Sequence, residues 1–249
     1  THVDSIVTWS WDFGDGSQPV TNPVTATHTY SAPGTYIATL TVVDLHGCTD
    51  SVSHGVRVNP LPIAEFSWSS PVCKGNPVHF TDASTVPAGY TGYIAKWLWD
   101  FGDGTSQLIL LPGSPNVAHT FVGPGMSHTV RLTVWTNDSC SQFVEHVVVS
   151  TPAPIADFEY SAIHCKDQPV QFTDLTNTNG GGSISQWAWS FDDPGSGTNN
   201  TSSLQNPQHT YLNAGTYNVL LIVTNLTGCV DSIIKTVVIN VQPFADFHA

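Results

Sequence analysis

Basic side chains are scarce in this chain: Lys and Arg number 6 in 249 residues, against 19 Asp and Glu, for a formal net charge of −13. A phosphate backbone is gripped by clustered Lys and Arg that release its counterions. Lys74, Lys96, Lys166, Lys235, Arg57 and Arg131 are scattered, which argues against nucleic acid or an anionic membrane as a partner. Charge of either sign is sparse, at 10% where globular proteins carry roughly 25%. No apolar run approaches the roughly 18 residues of a membrane-spanning helix. No secretory signal is visible either, so any targeting segment is expected outside this stretch. A sustained 3.6-residue apolar period is missing too, which excludes a helical domain. His-Glu-x-x-His, Gly-x-Ser-x-Gly and Walker loops do not occur, and with them go the usual signatures of metalloproteases, esterases and nucleotide hydrolases.

What is present is turn-forming and polar: 20 Gly and 17 Pro alongside 40% hydrophobic residues, the profile of a β-rich secreted protein. A long repeat organises it. Trp9-Ser10-Trp11-Asp12-Phe13-Gly14-Asp15-Gly16 returns as Trp97-Leu98-Trp99-Asp100-Phe101-Gly102-Asp103-Gly104, and in altered form as Trp187-Ala188-Trp189-Ser190-Phe191-Asp192-Asp193-Pro194. His28-Thr29-Tyr30, His119-Thr120-Phe121 and His209-Thr210-Tyr211 keep step, as do Gly34-Thr35-Tyr36 and Gly215-Thr216-Tyr217. Pro62 to Phe66, Pro154 to Phe158 and Pro243 to Phe247 mark the openings of successive units. The spacing, about 90 residues, suits one two-sheet sandwich per repeat. In the middle repeat, period-two alternation predicts strands at 63–68, 78–82, 96–101, 117–121, 129–135 and 143–149.

The Trp-Asp-Phe-Gly-Asp-Gly motif, the later His-Thr-Tyr and Gly-Thr-Tyr, and the closing alternating strand resemble the PKD (polycystic kidney disease) domain. The resemblance extends over nearly the whole chain. It implies an all-β fold of tandem immunoglobulin-like β-sandwich modules. The units read as residues 1–60, 61–151 and 152–242, with 243–249 as the first strand of a fourth. The first lacks two opening strands, so the chain is expected to begin and end inside modules of a longer array. A neighbouring molecule supplying the missing strands is the other reading. The added Cys residues and the Phe191-Asp192-Asp193-Pro194 variant look most like arrays in surface adhesins of gliding bacteria that use type IX secretion. The resemblance implies an extracellular, non-catalytic spacer or adhesive role. Its partners would be neighbouring modules of the same chain, with glycans or other surface proteins beyond them. The alternative it implies is a glycan-binding accessory module of a secreted polysaccharide- or protein-degrading enzyme.

The 5 cysteines fall into two repeat positions. Cys73 and Cys165 precede the second strand, and Cys48, Cys140 and Cys229 follow the penultimate one. Repeat phase predicts one bridge per module, Cys73–Cys140 and Cys165–Cys229, with Cys48 left over. Buried free thiols are the alternative.

The remaining candidates each have two readings. Asp100 and Asp103 offer calcium two carboxylates, short of a full cage. Equally, Asp and Gly there close a tight turn, Asp accepting backbone N–H bonds and Gly taking positive φ. Metal or base chemistry at His28, His119 and His209 competes with a strand-edge histidine bonded to backbone. The Trp-x-Trp pairs read as buried core. Trp68 and Trp135 lie outside the repeat pattern and are the candidate glycan contacts. Asp4-Ser5-Ile6, Asp50-Ser51-Val52 and Asp231-Ser232-Ile233 resemble a bacterial O-glycosylation sequon, with Ser5, Ser51 and Ser232 as acceptors and Ser51 and Ser232 expected on surface turns; chance matches are the competing reading. Asn137, Asn199, Asn200 and Asn225 match the N-glycosylation pattern.

Overall fold

The computed structural model describes residues 5–122, 126–162 and 164–243. The tail from 244, which carries the expected fourth-module strand, and Asp4 of the first sequon lie outside them. The first repeat forms β1 (Ile6–Asp12), β2 (Val20–Thr21), β3 (Gly34–Asp44) and β4 (Thr49–Val58). The second forms β5 (Phe66–Trp68), β6 (Pro77–Asp82), β7 (Ile94–Asp100), β8 (Ser106–Leu110), β9 (Val117–Thr120), β10 (Ser127–Thr136) and β11 (Ser141–Val149). The third forms β12 (Phe158–Tyr160), β13 (Pro169–Asp174), β14 (Ile184–Ser190), β15 (Thr201–Ser202), β16 (Gln208–Thr210), β17 (Gly215–Asn225) and β18 (Val230–Ile239). Among the described residues the sole helical element is a 3-10 stretch at Pro194–Asn200.

In the second repeat, sheet β5–β6–β9 faces sheet β11–β10–β7–β8; in the third, β12–β13–β16 faces β15–β14–β17–β18. All named pairings are antiparallel. Strict alternation makes this possible: Val130, Leu132 and Val134 point inward from β10, and Val219, Leu221 and Val223 from β17, all buried. Each of these two repeats closes its own core. One cluster joins Phe66, Phe80, Trp97, Trp99, Phe101 and Leu132; another joins Phe158, Phe172, Trp189, Phe191, Tyr211 and Leu221.

In the second and third repeats the second Trp of the Trp-x-Trp pair fills the sandwich centre. Trp99 and Trp189 are buried, and their indole N–H groups donate to the carbonyls of Pro115 (3.0 Å) and Leu204 (2.9 Å). The first Trp ties one sheet to the other, Trp97 donating to Asp82 at 2.9 Å and Trp187 to Asp174 at 2.8 Å. The first repeat shows one sheet, β2–β1–β3–β4, among the described residues. With no facing sheet among the described residues, Trp9, Trp11, Leu40 and Val42 stay half-buried.

Candidate functional site at the joint between repeats

The bridge in the structure crosses repeats instead of closing one. Cys73 is bonded to Cys229, with Cα atoms 5.6 Å apart; Cys48, Cys140 and Cys165 are free thiols. The expected Cys73–Cys140 and Cys165–Cys229 pairs are therefore corrected, and strand direction explains why. Cys140 stands just before β11, which runs Ser141–Val149. Cys73 pairs with Thr151, just past the end of that strand. The nine residues of β11 rise about 3.4 Å each, so the two cysteines lie roughly 30 Å apart. A disulfide tolerates a Cα separation of about 7 Å at most. Cys165, paired with Asn240 beyond β18, and Cys229, just ahead of β18, are at opposite poles for the same reason.

The joint is polar and closely fitted. Thr151 N–H donates to the Val72 carbonyl and the Thr151 carbonyl accepts from Lys74 N–H, both at 2.9 Å. From the third repeat, Asn225 Nδ2 donates to the carbonyls of Pro152 (3.4 Å) and Gly181 (3.0 Å), and Asn179 Nδ2 reaches Ala153 O at 3.2 Å. A Cβ on Gly181 would stand 2.1 Å from Pro152 O, and one on Gly228 would stand 3.3 Å from Pro71, so small residues set the approach. Asn225 is buried here and its Oδ1 caps the hairpin turn through the amides of Thr227 (3.1 Å) and Cys229 (2.9 Å). Its sequon is thus occupied by structure, a role the sequence pattern concealed.

The Asp-Gly motif closes turns. Asp12 accepts from Gly14 N–H at 2.9 Å and Asp100 from Gly102 N–H at 3.0 Å, with Gly14 and Gly102 at φ +74 and +70. The next Asp faces the recurrent histidine: His28–Asp15 and His119–Asp103 at 2.7 Å, His209–Asp193 at 3.0 Å. Each imidazole also stacks on the motif phenylalanine, at 4.1, 3.9 and 4.4 Å between ring centres. The histidines bond carboxylates, correcting the backbone role expected for them. The Ser17 hydroxyl and then His28 hold the Asp15 carboxyl down at about 2. At Asp103 burial pushes upward, yet Thr105 and His119 keep it below the usual carboxylate range. Asp103 spends both oxygens on these internal donors, and Asp100 spends one on Gly102 N–H. Among the described residues no group of three or more His, Cys, Asp or Glu is arranged to hold a metal. In the third repeat Asp192 occupies the Gly14 position at φ +58 and accepts from Asn218 N–H at 2.9 Å, so the turn survives the altered motif.

The two candidate glycan contacts do not form one platform. Trp68 on β5 packs against the core beside Phe66. Trp135 stands on the outer face of β10, half-exposed, with the Lys96 ammonium 4.2 Å from its ring centre. Ser5, Ser51 and Ser232 are all exposed. Ser51 and Ser232 belong to edge strands β4 and β18 rather than turns, opposite Thr41 and Ile222. Among the described residues no helix is long and apolar enough to cross a membrane.

Against known proteins, family models described as PKD domain match residues 1–59 and 151–241, and residues 64–149. Human polycystin-1 is 31% identical over 156 residues, 53% of this chain, which spans only 4% of that relative's length. Among solved structures, the PKD1 domain of Vibrio anguillarum Epp is 26% identical, covering 37% of this chain and 100% of that one, with a TM-score of 0.32. The PKD1 domain of the Vibrio cholerae metalloprotease PrtV is 27% identical, covering 35% and 98%, with a TM-score of 0.30.

Proposed function

Because the chain belongs to the PKD domain family, we propose that it is a non-catalytic spacer or adhesive segment of a longer extracellular surface protein. The modules of this reading are residues 1–60, 61–151 and 152–242. The observation that carries it is the joint: a disulfide binds the second and third repeats directly to each other, and hydrogen bonds on either side of it hold Thr151 to the second repeat and Pro152 to the third. Such an investment serves fixed orientation, which a spacer needs and a collection of independent binding domains does not. In the second and third repeats chain entry and exit lie at opposite poles, an arrangement that suits end-to-end stacking. A ten-residue strand such as β18 is about 34 Å long, giving three stacked modules a length on the order of 100 Å.

Small-angle scattering of the oxidised chain tests this. A maximum dimension near that length, unchanged by salt, supports the spacer; a compact particle of half the length sinks it. Acceptor serines at Ser5, Ser51 and Ser232 and delivery by type IX secretion fit the same reading, since all three side chains face solvent. Intact mass of the native protein, with hexose-type additions on these serines, checks that part. Glycan binding is the second reading, favoured by one observation: Trp135 offers a half-exposed ring on a flat sheet face. Polysaccharide pull-down lost in Trp135→Ala supports it, and equal retention by both proteins removes it.

A further inference from the structure

The bonded cysteines are copies of unbonded ones, set in the same local frames. Around Cys73, Asn76 N–H donates to the Cys73 carbonyl, Lys74 N–H to Thr151 O, Thr151 N–H to Val72 O and Gly75 N–H to Phe121 O. Around Cys165 the same four bonds recur: Gln168 to Cys165 O, Lys166 to Asn240 O, Asn240 to His164 O and Asp167 to Tyr211 O. Gly75 and Asp167 share positive φ, at 86 and 62. The hairpin cysteines repeat likewise. Residues Asp44, Thr136 and Asn225 each donate their N–H to the carbonyl of the cysteine four positions on, Cys48, Cys140 and Cys229. Their side chains accept the cysteine N–H at 2.9, 3.3 and 2.9 Å. Gly47, Ser139 and Gly228 stand before these cysteines at φ 80, 66 and 89.

We infer that the array is stapled in an offset register, the front cysteine of each module to the hairpin cysteine of the module behind it. Cys165 is then the receiving thiol for the hairpin cysteine of a module stacked beyond the third. Cys140 is the hairpin thiol for a front cysteine clasping Asn59, the repeat equivalent of Thr151 and Asn240. Asn59 marks that joint with a buried Oδ1 that accepts no hydrogen bond among the described residues. Tyr90 donates to Asp138, next to the Cys140 turn, at 2.7 Å, and the loop at Pro87–Tyr90 lines a cleft with Pro33, Arg57 and Asn59. The Cys140 turn therefore faces the first repeat, as Cys229 faces the second. Each staple forms when two thiols give up two protons and two electrons to a small-molecule disulfide, which leaves as two thiols.

The test refolds two proteins in a glutathione couple and maps bridges by non-reducing peptide mass spectrometry. In the 249-residue chain Cys73–Cys229 forms, and Cys140 and Cys165 alkylate. The second protein adds residues 154–242 again after Gln242; the original Cys229 is replaced by alanine, as is the added front cysteine. There the added hairpin cysteine bonds Cys165 in most molecules while Cys73 alkylates. Concentration-dependent dimers of the first protein joined Cys165–Cys48 also satisfy the register, and assign the partner to another copy. A Cys165–Cys229 bridge in the first protein, or an alkylated Cys165 in the second, overturns it. Bridge mapping is independent of the spacer reading, which scattering tests separately.

Discussion

Replacing Cys229 with serine is expected to destabilise two modules at once. The bridge spans 156 residues, and Thr151, 78 residues before Cys229, divides that span into equal halves. Thr151 is held beside Cys73 whenever the second module is folded, and its neighbour Pro152 is held beside the Cys229 turn by Asn225 whenever the third is. Unfolding either module in the oxidised chain therefore leaves a closed loop of 78 residues. In the chain-entropy model such a loop is worth at most about 4.5 kcal/mol. For a domain of this size each kcal/mol moves the midpoint by roughly 4–8 °C. Both melting transitions of Cys229→Ser should then fall by up to about 20–30 °C, while Cys140→Ser leaves both within about 0.5 kcal/mol. Calorimetry reads the transitions, and hydrogen exchange in β10–β11 and β17–β18 assigns them. An unchanged second-module transition in Cys229→Ser, or a matching loss in Cys140→Ser, would refute the crossed bridge.

Three further outcomes follow from other contacts. Trp99→Ala removes a fully buried ring and leaves Pro115 O without its donor, at a cost of about 3–5 kcal/mol in denaturant titrations; a loss under about 1 kcal/mol would contradict its central place. Gly102→Ala places a Cβ 2.5 Å from Thr129 O, whereas Gly104→Ala, also at positive φ, meets open space. The first should cost clearly more than the roughly 1 kcal/mol of backbone strain the second incurs, and equal losses would refute the close approach. Asp15, lowered from 3.8 to about 2, contributes stability that is full above 3.8 and disappears as pH falls through 2. Carbon-detected titration of that carboxyl in wild type and Ser17→Ala should show the midpoint rising in the variant, and an unmoved midpoint would remove Ser17 as the cause.

Much of this architecture can be read from residue order. Period-two alternation places β6, β7, β9, β10 and β11 within a few residues, because one face of each strand is buried and the other wet. β5 is shorter than its apolar run, since Ile63 makes only an isolated bridge to Thr85. β8 escapes notice because Leu108-Ile109-Leu110 does not alternate although only Ile109 turns inward. The cysteine pairing is the instructive miss. Repeat phase shows which positions correspond but not at which pole of the sandwich each lies. Counting chain reversals supplies that: from Cys165 the chain crosses its module along β13, β14, β15, β16 and β17 before Cys229, an odd number of passes that ends at the opposite pole. The histidine partners were equally hidden, since Asp15 and His28 or Asp193 and His209 meet only once the turn folds back on its strand.

The crossed bridge also decides where mechanical load travels. A pull on the two ends of the oxidised chain runs along the backbone to Cys73, jumps through sulfur to Cys229 and leaves along β18, bypassing everything between. About 500 Å of potential extension is thereby taken out of the force path, at roughly 3.4 Å for each of the 156 residues enclosed. Reduction would hand that reserve back to the load, making a thiol reagent the switch that sets how far the chain can extend.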